Sequence, residues 1–169
     1  MRKTPASQIA FGGIFAALAL VIMNLGSLIP VATYVCPMLC MLILAFVTRV
    51  CGNRIGWSWY GAVAILSVLM APDKEAAAVF VFLGFYPIVK PRFDRLRFPL
   101  IPKLALFNVL ILIMYWLLLR LLGMEQIAAE FEEMGKILTG VMLLMGNLIF
   151  LLLDFALNRF SRFKKGRAG

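Results

Sequence analysis

Three residues spaced by seven, Gly140, Asn147 and Asp154, carry polar and small groups through an otherwise apolar stretch. On a helix such positions drift only about 20° per heptad, so they form one stripe. Asn158 extends it by a turn. Polar groups are costly in hydrocarbon, so this stripe is expected to face protein rather than lipid. Asp154 is expected to pair with a cation such as Lys103 or Arg159. A proton or substrate site is the competing reading.

Other candidates lie toward the ends of apolar runs. Asn108 and Tyr115 share a face of one segment, and Arg120 follows near its end. Arg120 reads either as an interface anchor, its guanidinium reaching water, or as an anion-binding group facing outward. Asn24 stands at the end of the first run with Ser27 a turn on. The candidate substrate-binding residues are Asn24, Tyr34, Lys74, Asn108, Tyr115, Arg120 and Asn147, with Ser27 and Thr139 as further outer-end positions. No catalytic residue, cofactor or metal is expected. The chain has no histidine, which removes the commonest general base and metal ligand. It has no Walker A sequence for ATP. No carboxylate pair or nucleophile–base spacing marks an intramembrane enzyme. Cys36 and Cys40 stand four apart on one helix face, and Cys51 makes three, which is no disulfide framework. They are expected to pack as small hydrophobes.

The elements that must position these groups follow from composition. Of 169 residues, 63% are hydrophobic and 15% charged. Soluble domains are nearer half apolar and a quarter charged, so lipid must solvate much of this surface. The expected fold class is an all-α integral membrane protein, one transmembrane domain over residues 1–169. Six transmembrane helices are predicted at 9–29, 31–47, 55–71, 72–89, 101–122 and 137–157, since about 20 helical residues cross a bilayer. The first run, 21 residues long, is too long for a signal-peptide core and is expected to be retained. Pro37 interrupts the second span. Pro72, Asp73 and Glu75 suit the start of the fourth, and Pro87 should kink or end it. Residues 124–136 repeat Met124, Ile127, Ala128, Phe131 and Met134 at helical spacing with glutamates between, which predicts an amphipathic helix on the outer surface.

Charge sets direction. Seventeen Lys and Arg residues give a net charge of +9. All but Lys74, Arg120 and Lys136 fall before the first span or after the second, fourth and sixth. Positive residues favour cytoplasmic loops, so both termini are expected in the cytoplasm and the chain in the bacterial cell membrane as a multi-pass protein. Trp57, Trp59 and Tyr60 at the inner end of the third span, and Tyr115 and Trp116 toward the outer end of the fifth, fit interfacial belts. The cations form no single face, so nucleic acid is not an expected partner. Lys90 to Lys103 holds five cations in 14 residues, more than orientation needs. That loop is expected to meet anionic lipid or a cytoplasmic partner.

In the first span Gly12 and Ala16 are four apart, as are Gly13 and Ala17, a spacing that allows close helix approach. The stretch Ile9-Ala10-Phe11-Gly12-Gly13-Ile14-Phe15-Ala16-Ala17-Leu18-Ala19-Leu20, followed by Asn24 and a Leu-Ile-Pro exit at Pro30, resembles the first helix of substrate-binding subunits of energy-coupling factor transporters. That resemblance implies a six-helix protein that captures a vitamin-like micronutrient in its outer half. Gly12, Gly13, Ala16 and Ala17 would then dock a transmembrane coupling subunit, and two cytoplasmic ATPases would supply energy. A non-transport scaffold of an envelope or cell-shape complex is the alternative reading.

Overall fold

The computed structural model describes residues 5–26, 32–121 and 125–162, all but a few in helices and none in a strand. Among these residues seven helices follow one another: α1 Pro5–Gly26, α2 Ala32–Cys51, α3 Asn53–Met70, α4 Lys74–Leu83, α5 Tyr86–Phe93, α6 Leu100–Leu121 and α7 Glu125–Arg162. Four helical stretches among the described residues are long and apolar enough to cross a membrane: Ala6–Gly26, Thr33–Cys51, Lys74–Phe93 and Leu100–Leu117. The sequence reading of 55–71 as a span meets a helix, α3, whose first half carries Asn53, Arg54, Trp57, Ser58 and Tyr60. The chain divides into two compact units, Met1–Arg97 and Phe98–Gly169.

In the first unit α2 packs against α1, α3, α4 and α5. Lipid tails are as apolar as leucine, so close packing and internal hydrogen bonds hold such helices together. Cys40, Met41, Leu44 and Val47 of α2 are buried with Ala19 and Met23 of α1, Val63 of α3 and Phe80 of α4. The thiol of Cys40 points at the Ala19 carbonyl at 3.5 Å, and that of Cys51 at the Gln8 carbonyl at 3.7 Å, which sets α1 antiparallel to α2. No disulfide forms among the three cysteines. Pro37 sits inside α2 and cannot donate to the carbonyl four residues back, yet the helix continues through it.

A single residue, Gly52, turns α2 into α3. Its φ of 93° is the left-handed conformation that only glycine adopts without strain. The fourth predicted span becomes two helices. Pro87 has no N–H for the Leu83 carbonyl, and α4 ends at Leu83. Gly84 and Phe85 form the break, and α5 begins with Pro87 in its first turn and runs on to Phe93, four residues past the expected end. A Cβ at Gly84 would run into the Phe80 carbonyl, so this turn also needs glycine. Pro87 thus breaks the stretch as expected, ending α4 four residues back, and also opens α5, a position in which its fixed φ suits it.

The second unit pairs α6 with α7. The predicted surface helix at 124–136 and the predicted span at 137–157 are one continuous helix of 38 residues. At 1.5 Å per residue that is about 57 Å, against a hydrocarbon core of about 30 Å.

Gly52 gives the first test. Nothing lies within 4 Å of a Cβ added there, so Gly52→Ala is strained by its backbone alone. It should cost about 1–2 kcal/mol and lower the thermal midpoint of the detergent-solubilised chain. Gly61→Ala, inside α3 with equally open surroundings, should leave the midpoint unchanged or raise it.

Candidate functional site

The polar side chains of the first unit collect at its two ends. At one end α2 and α4 both begin. Asp73 caps α4: its Oδ1 accepts the Ala76 N–H at 3.0 Å. Its Oδ2 accepts the Thr33 hydroxyl at 2.7 Å. Two residues on, Glu75 Oε1 accepts the Tyr34 hydroxyl at 2.9 Å. Two carboxylates thus sit at the positive ends of two helix dipoles, where a negative charge is favoured. Lys74, between them, is exposed and donates to the Val68 carbonyl at 2.9 Å. Asn24 lies near the end of α1 and donates to the Leu20 carbonyl at 2.9 Å.

At the other end stand Arg49 in the last turn of α2 and Arg54 near the start of α3. Lys90 and Arg92 close α5. Lys90 is buried and pairs with Asp94 at 2.9 Å. Aromatic rings fill the α3–α4 side of this end. Trp57 stacks on Phe85 at a centroid distance of 6.4 Å. Tyr60 meets Phe80 and Phe85 and gives its hydroxyl proton to the Val81 carbonyl.

The four expected docking positions of α1 divide. Gly12 is buried: its carbonyl accepts the Trp59 indole N–H at 3.0 Å. A Cβ there would meet Trp59 at 3.8 Å and Ile55 at 3.9 Å. Gly12 is thus part of the α1–α3 contact, and the four residues do not form one free face. Gly13 is exposed, with nothing within 4 Å of an added Cβ. Ala17 is also exposed, and Ala16 is half-buried between the two faces.

The second unit holds a polar seam. Lys103 and Asp154, both buried, form an ion pair with Nζ 3.0 and 3.2 Å from the two carboxylate oxygens. Asn158 donates to the same carboxylate at 3.3 Å. Phe107 stacks on Phe150 at 4.7 Å. Asn108 and Asn147 then exchange side-chain hydrogen bonds of 2.9 and 3.1 Å. Each also donates to the carbonyl four residues back in its own helix, at 2.8 Å. Positions rise along α6 as they fall along α7, so the seam is antiparallel. The heptad stripe faces the neighbouring helix at Asn147 and Asp154, and Asp154 takes Lys103 as its cation. Gly140, the stripe's third member, is exposed.

The expected substrate-binding residues are therefore distributed. Tyr34, Lys74 and Asn24 belong to the first unit; Asn108, Asn147, Tyr115 and Arg120 belong to the second. Asn108 and Asn147 join each other. Tyr115 is half-buried and Arg120 exposed. Ser27 lies outside the described residues, as does the side chain of Thr139. Sequence reading overlooked Thr33 and the bonds of Asp73 and Glu75 to α2. The cap spacing Asp73 to Ala76 was visible, but the partners of those carboxylates lie 40 and 41 residues away. Comparison with protein-family models, with curated proteins and with solved structures finds no match.

The ion pair carries a test. Asp154→Asn leaves Lys103 buried without its counter-charge and should cost about 3–5 kcal/mol. The double variant Lys103→Met/Asp154→Leu should recover most of that loss. Thermal midpoints of the three proteins in one detergent check both outcomes.

Proposed function

We propose that this chain is the membrane-embedded substrate-capture subunit of a micronutrient uptake transporter, energised by separate proteins. It would bind a small vitamin-like molecule from outside. A transmembrane coupling subunit would dock on α1, two cytoplasmic ATPases would hydrolyse ATP, and the chain itself would catalyse nothing. In this reading the chain crosses the bilayer six times with both termini in the cytoplasm. The stretch Lys74–Phe93 makes one crossing from its two helices, and part of α7 makes the last.

The observation that carries the reading is the free face of α1. Gly13 and Ala17 lie four apart and exposed, among Ile9, Ile14 and Val21, which are also exposed. Small residues so spaced let another helix approach closely. Opposed ends support the same reading. Arginines gather at the end expected to face the cytoplasm, and Tyr34, Lys74 and Asn24 at the end expected to face outward. Tyr34, Lys74 and Asn24 are the candidate ligand contacts of the first unit, and Asn108, Asn147, Tyr115 and Arg120 those of the second, each set taken by itself.

Ala17→Trp tests docking without disturbing the fold. It should abolish copurification of a coupling subunit and ATPases while native mass spectrometry still finds a retained small molecule. Gly12→Leu, directed into Trp59, should instead lower the thermal midpoint. Copurification that survives Ala17→Trp would remove the docking assignment. Envelope proteins brought down with no retained molecule would favour a scaffold.

A further inference from the structure

The turn that follows α5 carries more positive charge than the fold uses. Lys90 is neutralised by Asp94, one helical turn on. Arg92, Arg95 and Arg97 are all exposed. None of the three side chains has a hydrogen bond or ion pair with another described residue. Backbone bonds from Asp94 to Lys90 at 3.0 Å, from Arg95 to Arg92 at 3.3 Å and from Leu96 to Phe93 at 3.0 Å fold this segment into tight turns. Leu96, between two of the arginines, is half exposed at 50%. Arg54 and Trp57 of α3 are exposed toward the same end, Trp57 at 45%.

Height matters as well as charge. The apolar stretch Lys74–Phe93 ends at Phe93. Arg92 stands at its last turn, and Arg95 and Arg97 follow within four residues. A bilayer has its lipid phosphates at that level, just beyond the hydrocarbon. We infer that Arg92, Arg95 and Arg97, with Leu96 among them, form a binding rim for the phosphate headgroups of anionic phospholipid.

The chemistry fits on both counts. A guanidinium presents a planar fork of donors that matches a phosphate pair of oxygens, and it sheds water more readily than an ammonium. Leu96 and the exposed Trp57 ring would enter the upper acyl region, a contact that a soluble anion cannot repay. Anionic lipid gains roughly 1 kcal/mol for each basic residue held near the surface. A soluble protein partner would use the arginines but has no evident use for apolar groups at the bilayer level. This inference rests on the chain spanning a membrane; it stands apart from the transport proposal.

Native mass spectrometry of the full-length chain in neutral detergent, with equimolar phosphatidylglycerol and phosphatidylcholine added, reads the preference directly. The wild-type chain should retain phosphatidylglycerol over phosphatidylcholine by at least about tenfold, less at high salt. Arg92→Gln/Arg95→Gln/Arg97→Gln should reduce that ratio at least about fivefold at unchanged helicity and thermal midpoint. Should that variant fail to fold, Arg95→Gln/Arg97→Gln makes the same comparison beyond the last residue of α5. Lys74→Gln, at the opposite end of the unit, should keep the wild-type ratio. Equal retention of the two lipids, or an unchanged ratio in the arginine variants, overturns the inference. Displacement of phosphatidylglycerol by excess inorganic phosphate would reassign the arginines to a soluble anion. Loss of a copurifying soluble protein in the arginine variants, with lipid preference intact, would reassign them to that protein.

Discussion

Hydrocarbon offers no hydrogen bonds, so a chain that lives in it must supply every partner itself. Among the described residues, where four helical stretches are long and apolar enough to cross a membrane, the side chains follow that constraint. Trp59 gives its indole N–H to the Gly12 carbonyl, and Tyr60 gives its hydroxyl to Val81. Lys103 and Asp154 neutralise one another, and Asn108 and Asn147 answer each other's amides. Each of these bonds joins two helices, so satisfying the polar groups also fixes which helices are neighbours. Among the described residues one buried side-chain atom lacks a partner, Thr48 Oγ1, which presses against Gly56 where a Cβ could not fit.

Much of this was legible in the sequence. Long apolar runs announce helices, and a heptad of small and polar residues announces a face that lipid should not touch. Asp154 had to find a cation, and the cations near the same end of the run were few. The exposed face of α1 was less legible. Gly12 and Gly13 are adjacent and chemically identical, and spacing alone cannot say which of them a neighbouring helix will cover. The indole that claims Gly12 lies 47 residues away, a distance across which local periodicity carries no information. Pro87 was read as a kink or an end because proline disrupts the interior of a helix, and α4 does stop four residues before it. Proline is also a good first residue, and the restart of the chain as α5 was not legible from that rule.

Charge and dipole reinforce one another along α2. Asp73 and Glu75 sit where α2 and α4 begin, and Arg49 where α2 ends, so α2 carries at both ends the charge its dipole prefers, while Arg54 in the first turn of α3 stands against the dipole of that helix. A bilayer that prefers arginine on the cytoplasmic side would select the same orientation. For α2, insertion and internal electrostatics therefore favour the same arrangement.

The single residue between α2 and α3 has a mechanical meaning. The two peptide units that flank Gly52 extend to about 7 Å at most, and the turn already takes up most of that length, which leaves too little slack for the 5.4 Å of a helical turn. The two helices cannot ratchet past each other by a turn without unwinding one of their ends. Whatever motion this protein makes, α2 and α3 must swing as a stiff fork about Gly52, and any piston-like displacement has to occur along some other pair of helices.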